Sequence, residues 1–245
     1  MQAPVMQLSE LTKNLGSHRA VDDLTLTVPR GSMFGVVGPN GAGKTTTLSM
    51  ATGLLRPDGG RVEILGHDVW RDPARAKSLI GVLPDGLRTF DRLSGRELLR
   101  HTGLLHGVDV IDVARRSDQL LDALGLDEAA DKIVADYSAG MTKKIGLACA
   151  LIHAPRVLVL DEPFGRQRVR ARSERRCGGL RGAARLLGGD GAAVRTRHRA
   201  RGARARVGGV AGRRAHRGRL RHARGASGRA QLEQTLPELL AKINT

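Results

Sequence analysis

The chain has 245 residues, a formal net charge of +17 and two cysteines. This length can bury a hydrophobic core in one large domain or two small ones. The cysteines have no metal-ligand or redox spacing, which argues against a disulfide framework and indicates a reducing compartment. With no secretion-signal pattern and no apolar run of about 18 residues, we expect a protein that is neither exported nor membrane-spanning.

The positive charge lies almost entirely in one tract. Residues 165–229 contain 21 arginines, no lysine, one glutamate and one aspartate, and the rest of the chain is close to neutral. A strongly basic chain is typical of partners such as nucleic acid or acidic membranes. Here that signal belongs to the tract and not to the remaining sequence.

Short strands are predicted at residues 5–11 and 24–28, with turn material at Gly16, Asp22 and Asp23. A third strand, at 33–37, leads into a glycine-rich loop, and a helix is predicted at 45–53. The loop and the start of this helix read Gly38, Pro39, Asn40, Gly41, Ala42, Gly43, Lys44, Thr45 and Thr46.

This spacing of two glycines, a lysine and a threonine is that of a phosphate-binding loop. Glycines let the backbone turn tightly and point N–H groups at phosphate oxygens, and the following helix presents its positive end to the same anion. Lys44 is placed to reach the β- and γ-phosphates, and Thr45 to ligate Mg²⁺. The loop therefore predicts a nucleotide site, against the alternative of a chance glycine-rich turn.

Further strands are predicted at 61–65 and 79–83, and the second is followed by Pro84 and Asp85. From residue 90 to residue 136 the leucines and valines recur every three to four residues, which predicts helices. Ser138 then precedes a helix predicted at 142–152. Serine is a preferred helix cap, so capping alone explains this residue when it is taken by itself.

A strand predicted at Val157–Leu160 has four consecutive apolar residues, as a strand buried on both faces requires. It is followed by Asp161 and Glu162. Ligands of open α/β sheets bind at the carboxyl ends of the strands, so this pair is a candidate site. An acidic pair in solvent is the simpler alternative when the pair is considered alone.

Taken in order from Gly38 to Pro163, these motifs resemble the ATPase subunit of ABC transporters. The resemblance implies an α/β fold with a P-loop NTPase core and a helical subdomain. The core would comprise residues 1–84 and 142–164, and the helical subdomain residues 85–141. ATP and Mg²⁺ are the implied cofactors.

The resemblance also implies roles for individual residues. Asp161 would hold Mg²⁺ through water, and Glu162 would act as general base, with Lys44 completing the catalytic set. Asp85 stands where the family has a glutamine, so it is expected to contact a metal-bound water. Ser138 and Gly140 occupy the family's signature and would bind the γ-phosphate of ATP held by a second copy.

Leu15 stands where the family usually has an aromatic residue that stacks on adenine. A leucine there is expected to weaken base stacking without removing phosphate binding.

As partners, the family likeness implies a second copy of the chain, with two ATP sandwiched between them, and a separate membrane permease. The ATPase would then be peripheral at the cytoplasmic face of the membrane. The overall likeness is to bacterial drug and antibiotic exporters, which implies export.

The resemblance ends after Phe164. Residues 165–229 are mostly arginine, glycine and alanine, and their eight valines and leucines show no strand or helix period, so disorder is predicted. His198 lies roughly where the family has a histidine that meets the γ-phosphate, but no strand is legible before it. In the last stretch, 230–245, an amphipathic helix is predicted at 231–243.

Organised sequence on both sides suggests that the tract was read out of frame between two compensating shifts. A natural disordered insert and a diverged but folded segment are the alternatives. For function, the alternatives to an ATPase are an ATP-binding protein with little turnover and a nucleic-acid-binding protein acting through the tract. Nucleic acid is not the expected partner, because the tract has no aromatic residue for base stacking.

Overall fold

The computed structural model describes residues 3–38, 41–85, 92–161, 192–198 and 206–211. These residues form nine strands and five α-helices, which are listed here in chain order: β1 Met6–Leu15, β2 His18–Val28, β3 Ser32–Gly38, α1 Lys44–Ala51, β4 Gly59–Ile64, β5 His67–Asp68, α2 Pro73–Ser78, β6 Ile80–Leu83, α3 Gly95–Leu105, α4 Val110–Leu124, α5 Ala139–Leu151, β7 Val157–Leu160, β8 Ala192–His198 and β9 Arg206–Ala211.

An antiparallel sheet holds the first two strands in the order β2-β1-β4-β5. The predicted turn at Gly16 is confirmed, because the residue has a φ of 61° and joins β1 to β2. The turn predicted at Asp22 and Asp23 is wrong, since both lie inside β2. Asp23 nevertheless has a φ of 45°, so the strand is irregular where the sequence suggested a break.

The second sheet has the order β6-β7-β8-β3-β9. Its first four strands are parallel, and β9 runs antiparallel to β3. The carboxyl ends of β6, β7, β8 and β3 therefore meet at one edge, where the loop after Gly38 begins.

Two apolar clusters cover opposite faces of this sheet. Leu158 and Leu160 pack into a cluster with α3, α4 and α5, whereas Val157 and Val159 pack into a cluster shared with α1 and the antiparallel sheet. All four side chains of β7 are buried. The prediction of a strand buried on both faces is confirmed, because side chains alternate between the faces and each face is covered.

The helical stretch predicted between residues 90 and 136 contains α3 and α4. Ser94 and Glu97 form a reciprocal capping box at the start of α3. Asp109 caps α4, and Gly125 ends it in the left-handed conformation. The spacing of leucines in the sequence therefore indicated the correct element type.

Disorder was the expectation for residues 165–229, and it is wrong at β8 and β9. Strand β8 lies between β7 and β3, so its backbone is paired on both sides. Ala192 and Val194 are 1% exposed. A central strand needs only a few small apolar side chains, whereas the composition argument averaged over the whole tract. The helix predicted at 231–243 lies outside the described residues.

Because β8 pairs with β7, the strand Val157–Leu160 has a neighbour on each side, one of which disorder of the whole tract would have removed. Two strands inside the tract favour the diverged but folded alternative at those residues. The out-of-frame hypothesis for the tract stays a hypothesis.

Candidate nucleotide site

The glycine-rich loop connects the end of β3 to the start of α1. Gly43 caps the helix with a φ of 72°, and a Cβ atom on it would lie 2.2 Å from the carbonyl oxygen of Ala20. Gly41 also has a positive φ, of 78°. The backbone thus requires glycine at Gly43 for two independent reasons, as a tight phosphate cradle does. Pro39 and Asn40 lie outside the described residues.

The residues that follow Gly43 place a cation and hydroxyl groups at the first turn of α1. Lys44 is 7% exposed, Thr45 is exposed and Thr46 is half-buried. Ala42, just before the helix, is exposed. A lysine in the first turn opposes the helix dipole, and an anion bound there is attracted by both the lysine and the dipole.

The acidic residues lie at the same edge of the sheet. Asp161 directly follows β7, is 7% exposed and donates its backbone N–H to the carbonyl oxygen of Leu83 at 2.9 Å. Leu83 is paired with Leu160, so Asp85, two residues further on, follows the neighbouring strand. Asp85 is exposed, and Glu162 lies outside the described residues.

These positions suit a phosphate and a divalent cation bound beside it. The backbone at Gly43 leaves no room for a side chain, so its N–H groups can approach a phosphate closely. Thr45 offers a hydroxyl and Asp161 a carboxylate, which are the oxygen ligands that a magnesium phosphate requires. Among residues 3–38, 41–85, 92–161 and the two later strands, no group of three or more metal-ligating side chains is assembled. One carboxylate and one hydroxyl suit Mg²⁺, which keeps waters and substrate phosphates as its other ligands.

His198 is preceded by a strand that the sequence analysis did not predict. It ends β8, and its backbone is paired with that of Gly38, where the phosphate-binding loop begins. The signal in the sequence was the short apolar run from Ala192 to Val194, six to four residues before it. That run is too short to stand out among arginines, and its burial depends on partners that are distant in the sequence.

Ser138 caps α5 by accepting a hydrogen bond from the backbone N–H of Met141 at 3.3 Å. Both Ser138 and Gly140 are exposed at this helix N-terminus. The capping explanation is therefore confirmed. Contact with ATP on a second copy stays a prediction for these two residues, because the structure is that of one chain.

Leu15 lies at the tip of the β1–β2 hairpin and is 49% exposed. The same hairpin passes the phosphate-binding loop at Ala20, which contacts Gly43. Asp58 holds the base of the tip through Lys13 Nζ at 2.6 Å and through the backbone N–H of Asn14 at 2.7 Å. An aliphatic side chain thus stands at the tip of the hairpin, at the position where the resemblance implies an aromatic residue.

No helix of the described residues has the length and apolar character that crossing a bilayer requires.

Comparison with known proteins gives a consistent result. The sequence profile of a family described as "ABC transporter" matches residues 21–165, which is more than half of the chain. The chain is 42% identical over 162 residues to the daunorubicin resistance ATP-binding protein DrrA3 of Streptomyces coeruleorubidus. The aligned residues cover 66% of this chain and 51% of that protein. It is 35% identical over 161 residues to the bacitracin transport ATP-binding protein BcrA of Bacillus licheniformis, covering 65% and 51%.

The chain spans about half the length of these curated relatives. Among solved structures, it is similar to an ATP-binding subunit of an ABC transporter, with a TM-score of 0.66 and 25% identity over 78% of this chain and 79% of that one. The cbiO1 protein of Clostridium perfringens has the same fold, with a TM-score of 0.68 over 81% of this chain and 80% of its own, at 22% identity.

Proposed function

Because the chain belongs to the ABC transporter family, we propose that it binds and hydrolyses ATP with Mg²⁺ and drives a separate membrane permease. The observation that carries the proposal is the meeting of two features at one sheet edge. One is the glycine cradle that opens α1 with Lys44. The other is Asp161, at the end of the buried strand β7.

In this proposal, side chains and backbone N–H groups of the chain position the triphosphate of ATP. Lys44 and the N–H groups from Gly41 to Thr45 hold the phosphate oxygens, and the Thr45 hydroxyl and Asp161 hold the Mg²⁺ shell. When bound there, Mg²⁺ would neutralise negative charge on the phosphate oxygens. Asp85 orients a water of that shell, and Glu162 accepts a proton from the attacking water.

A second copy of the chain completes the site. The exposed N-terminus of α5, with Ser138 and Gly140, is available to face the phosphates held by the partner copy. ATP binding would close the pair and hydrolysis would reopen it, so that a permease bound at the layer of helices α3, α4 and α5 (the helical layer) is driven between two states. The names of the relatives favour export of a drug or antibiotic. The ATPase would work at the cytoplasmic face of the membrane.

Turnover of MgATP by the purified chain tests this proposal. Glu162→Gln should lower the turnover rate by about 100-fold or more while ATP still binds, since only the general base is lost. Lys44→Ala should abolish ATP binding. Glu128→Gln, which makes the same chemical change at an exposed residue of a 3-10 turn, should change neither property.

The outcomes separate the alternatives. If the unmodified chain binds ATP without hydrolysing it, the result would favour an ATP-binding protein with little turnover. The reason would be that residues 165–229 stand in place of the sequence that usually completes the ATPase site. If Lys44→Ala still binds and hydrolyses ATP like the unmodified chain, the nucleotide site does not lie at this loop. Salt-sensitive binding of nucleic acid, lost on deleting residues 165–229, would support the alternative role of the tract.

A further inference from the structure

Two histidines stack where the helical layer meets the central sheet. His106 caps the C-terminus of α3, and His153 lies in the turn after α5. Their ring centroids are 3.9 Å apart, and the ring planes differ by 3°. The stack therefore joins the ends of two helices through histidines that are 47 residues apart in the chain.

His153 also contacts the sheet. Its Nε2 atom lies 3.0 Å from the carbonyl oxygen of Ile80, the first residue of β6. A carbonyl can only accept, so Nε2 carries the proton and donates it. This leaves Nδ1 as a buried acceptor that has no partner among the described residues. One imidazole thus connects the end of α5 to the start of β6 and stacks on the end of α3.

The surroundings of the pair are closely packed. A Cβ atom on Gly81 would lie 2.0 Å from the carbonyl oxygen of Ala150, so α5 rests directly on β6. A Cβ atom on Gly103 would lie 2.7 Å from a methyl group of Val113, so α3 and α4 are equally close. Because there is little free space, displacement of one of these elements moves its neighbours.

The ring of His153 is kept neutral. Burial lowers its pKa to about 4, with further lowering by His106 on α3 and by Arg116 on α4, against the opposing effect of the Ile80 carbonyl. Arg116 itself donates to the carbonyl oxygen of Ile152 at 3.2 Å. At neutral pH the histidine pair is therefore uncharged. We call the stack of His106 on His153, together with the hydrogen bond from His153 to Ile80, the joint between α3, α5 and β6.

We propose that His153 is a positioning residue that couples the helical layer to Asp85 through β6. Strand β6 is only four residues long and leads from Ile80 through Leu83 to Pro84 and Asp85. Holding its first residue fixes the register of the strand, and hence where Asp85 is placed against the end of β7. The expected effect of this joint on turnover rests on the proposed ATPase function, whereas its structural contacts do not.

The experiment compares His153→Phe with His153→Gln in the full-length chain. Phenylalanine keeps a flat ring for the stack and loses the hydrogen bond, whereas glutamine can place its amide N–H near the position of Nε2 and restore the bond. We expect His153→Phe to lower kcat for MgATP by about tenfold, as a misplaced catalytic group does, with KM changed less than about twofold. His153→Gln should recover most of kcat.

Hydrogen exchange of the backbone amides at residues 80–83 and 85 provides a readout that does not depend on turnover. His153→Phe should speed exchange there, and His153→Gln should not. Equal exchange in all three proteins would overturn the proposal, as would an equal loss of kcat in both variants. If the unmodified chain shows no ATP turnover, the proposed function fails, and the exchange result still decides whether the joint holds β6.

Discussion

Replacing Val194 by alanine tests whether β8 is part of the folded sheet. Val194 is 1% exposed and belongs to the apolar cluster that includes Phe34 and Val159. The same two residues are its partners on the neighbouring strands. The arginine-rich tract thus contributes a side chain to the core, and removing part of that side chain should be felt by the whole domain.

The magnitude follows from the two methyl groups that are lost. At about 0.8 kcal/mol for each buried CH₂ group, plus a term for the cavity left behind, the substitution should lower the free energy of unfolding by about 2 kcal/mol. Val110→Ala is the matched control, because Val110 is 51% exposed. Its effect should stay within about 0.5 kcal/mol.

Urea unfolding followed by tryptophan fluorescence measures both changes. The chain has one tryptophan, Trp70, and it packs against the same cluster as Val194. Unfolding of this cluster is therefore reported directly. If Val194→Ala and Val110→Ala differ by less than about 0.5 kcal/mol, the reasoning fails and β8 contributes nothing to stability.

Four further predictions concern the loop, a thiol, the joint and the gene. Gly43→Ala should weaken ATP binding more than Gly41→Ala, because both positions have positive φ but only the first also meets a backbone oxygen; equal dissociation constants would contradict this. Burial raises the pKa of the Cys149 thiol to about 11, so alkylation by iodoacetamide, followed residue by residue with mass spectrometry, should be at least about 100-fold slower in the folded chain than in urea. The pKa of His153 is lowered to about 4 in the folded chain, so the unfolded chain takes up the proton first; stability should be fully present above about pH 6.5 and fall by about 3 kcal/mol towards pH 4, and His153→Gln should remove that loss. Resequencing codons 155–240 and reading all three frames should give an aspartate-containing loop, a helix and a strand ending in histidine if the tract is out of frame, and no such frame if it is genuine.

Local signals in the sequence were enough to propose much of the candidate site. The loop from Gly38 to Thr46 was recognisable because phosphate binding fixes residue types at a short spacing. Asp161 was recognisable because it ends a run of four apolar residues. Both signals depend on neighbours in the sequence, and the structure places Lys44 and Asp161 at one edge of the sheet.

Local residue patterns predict the type of each strongly patterned element and a phosphate-binding role for the glycine-rich loop. The position of β8 between β7 and β3, which brings His198 level with Gly38, follows from the three-dimensional fold alone. Composition predicted disorder there because it measures the apolar content of the segment alone. A central strand is stabilised by hydrogen bonds and apolar surfaces that distant strands supply, and these are not visible in its own residues.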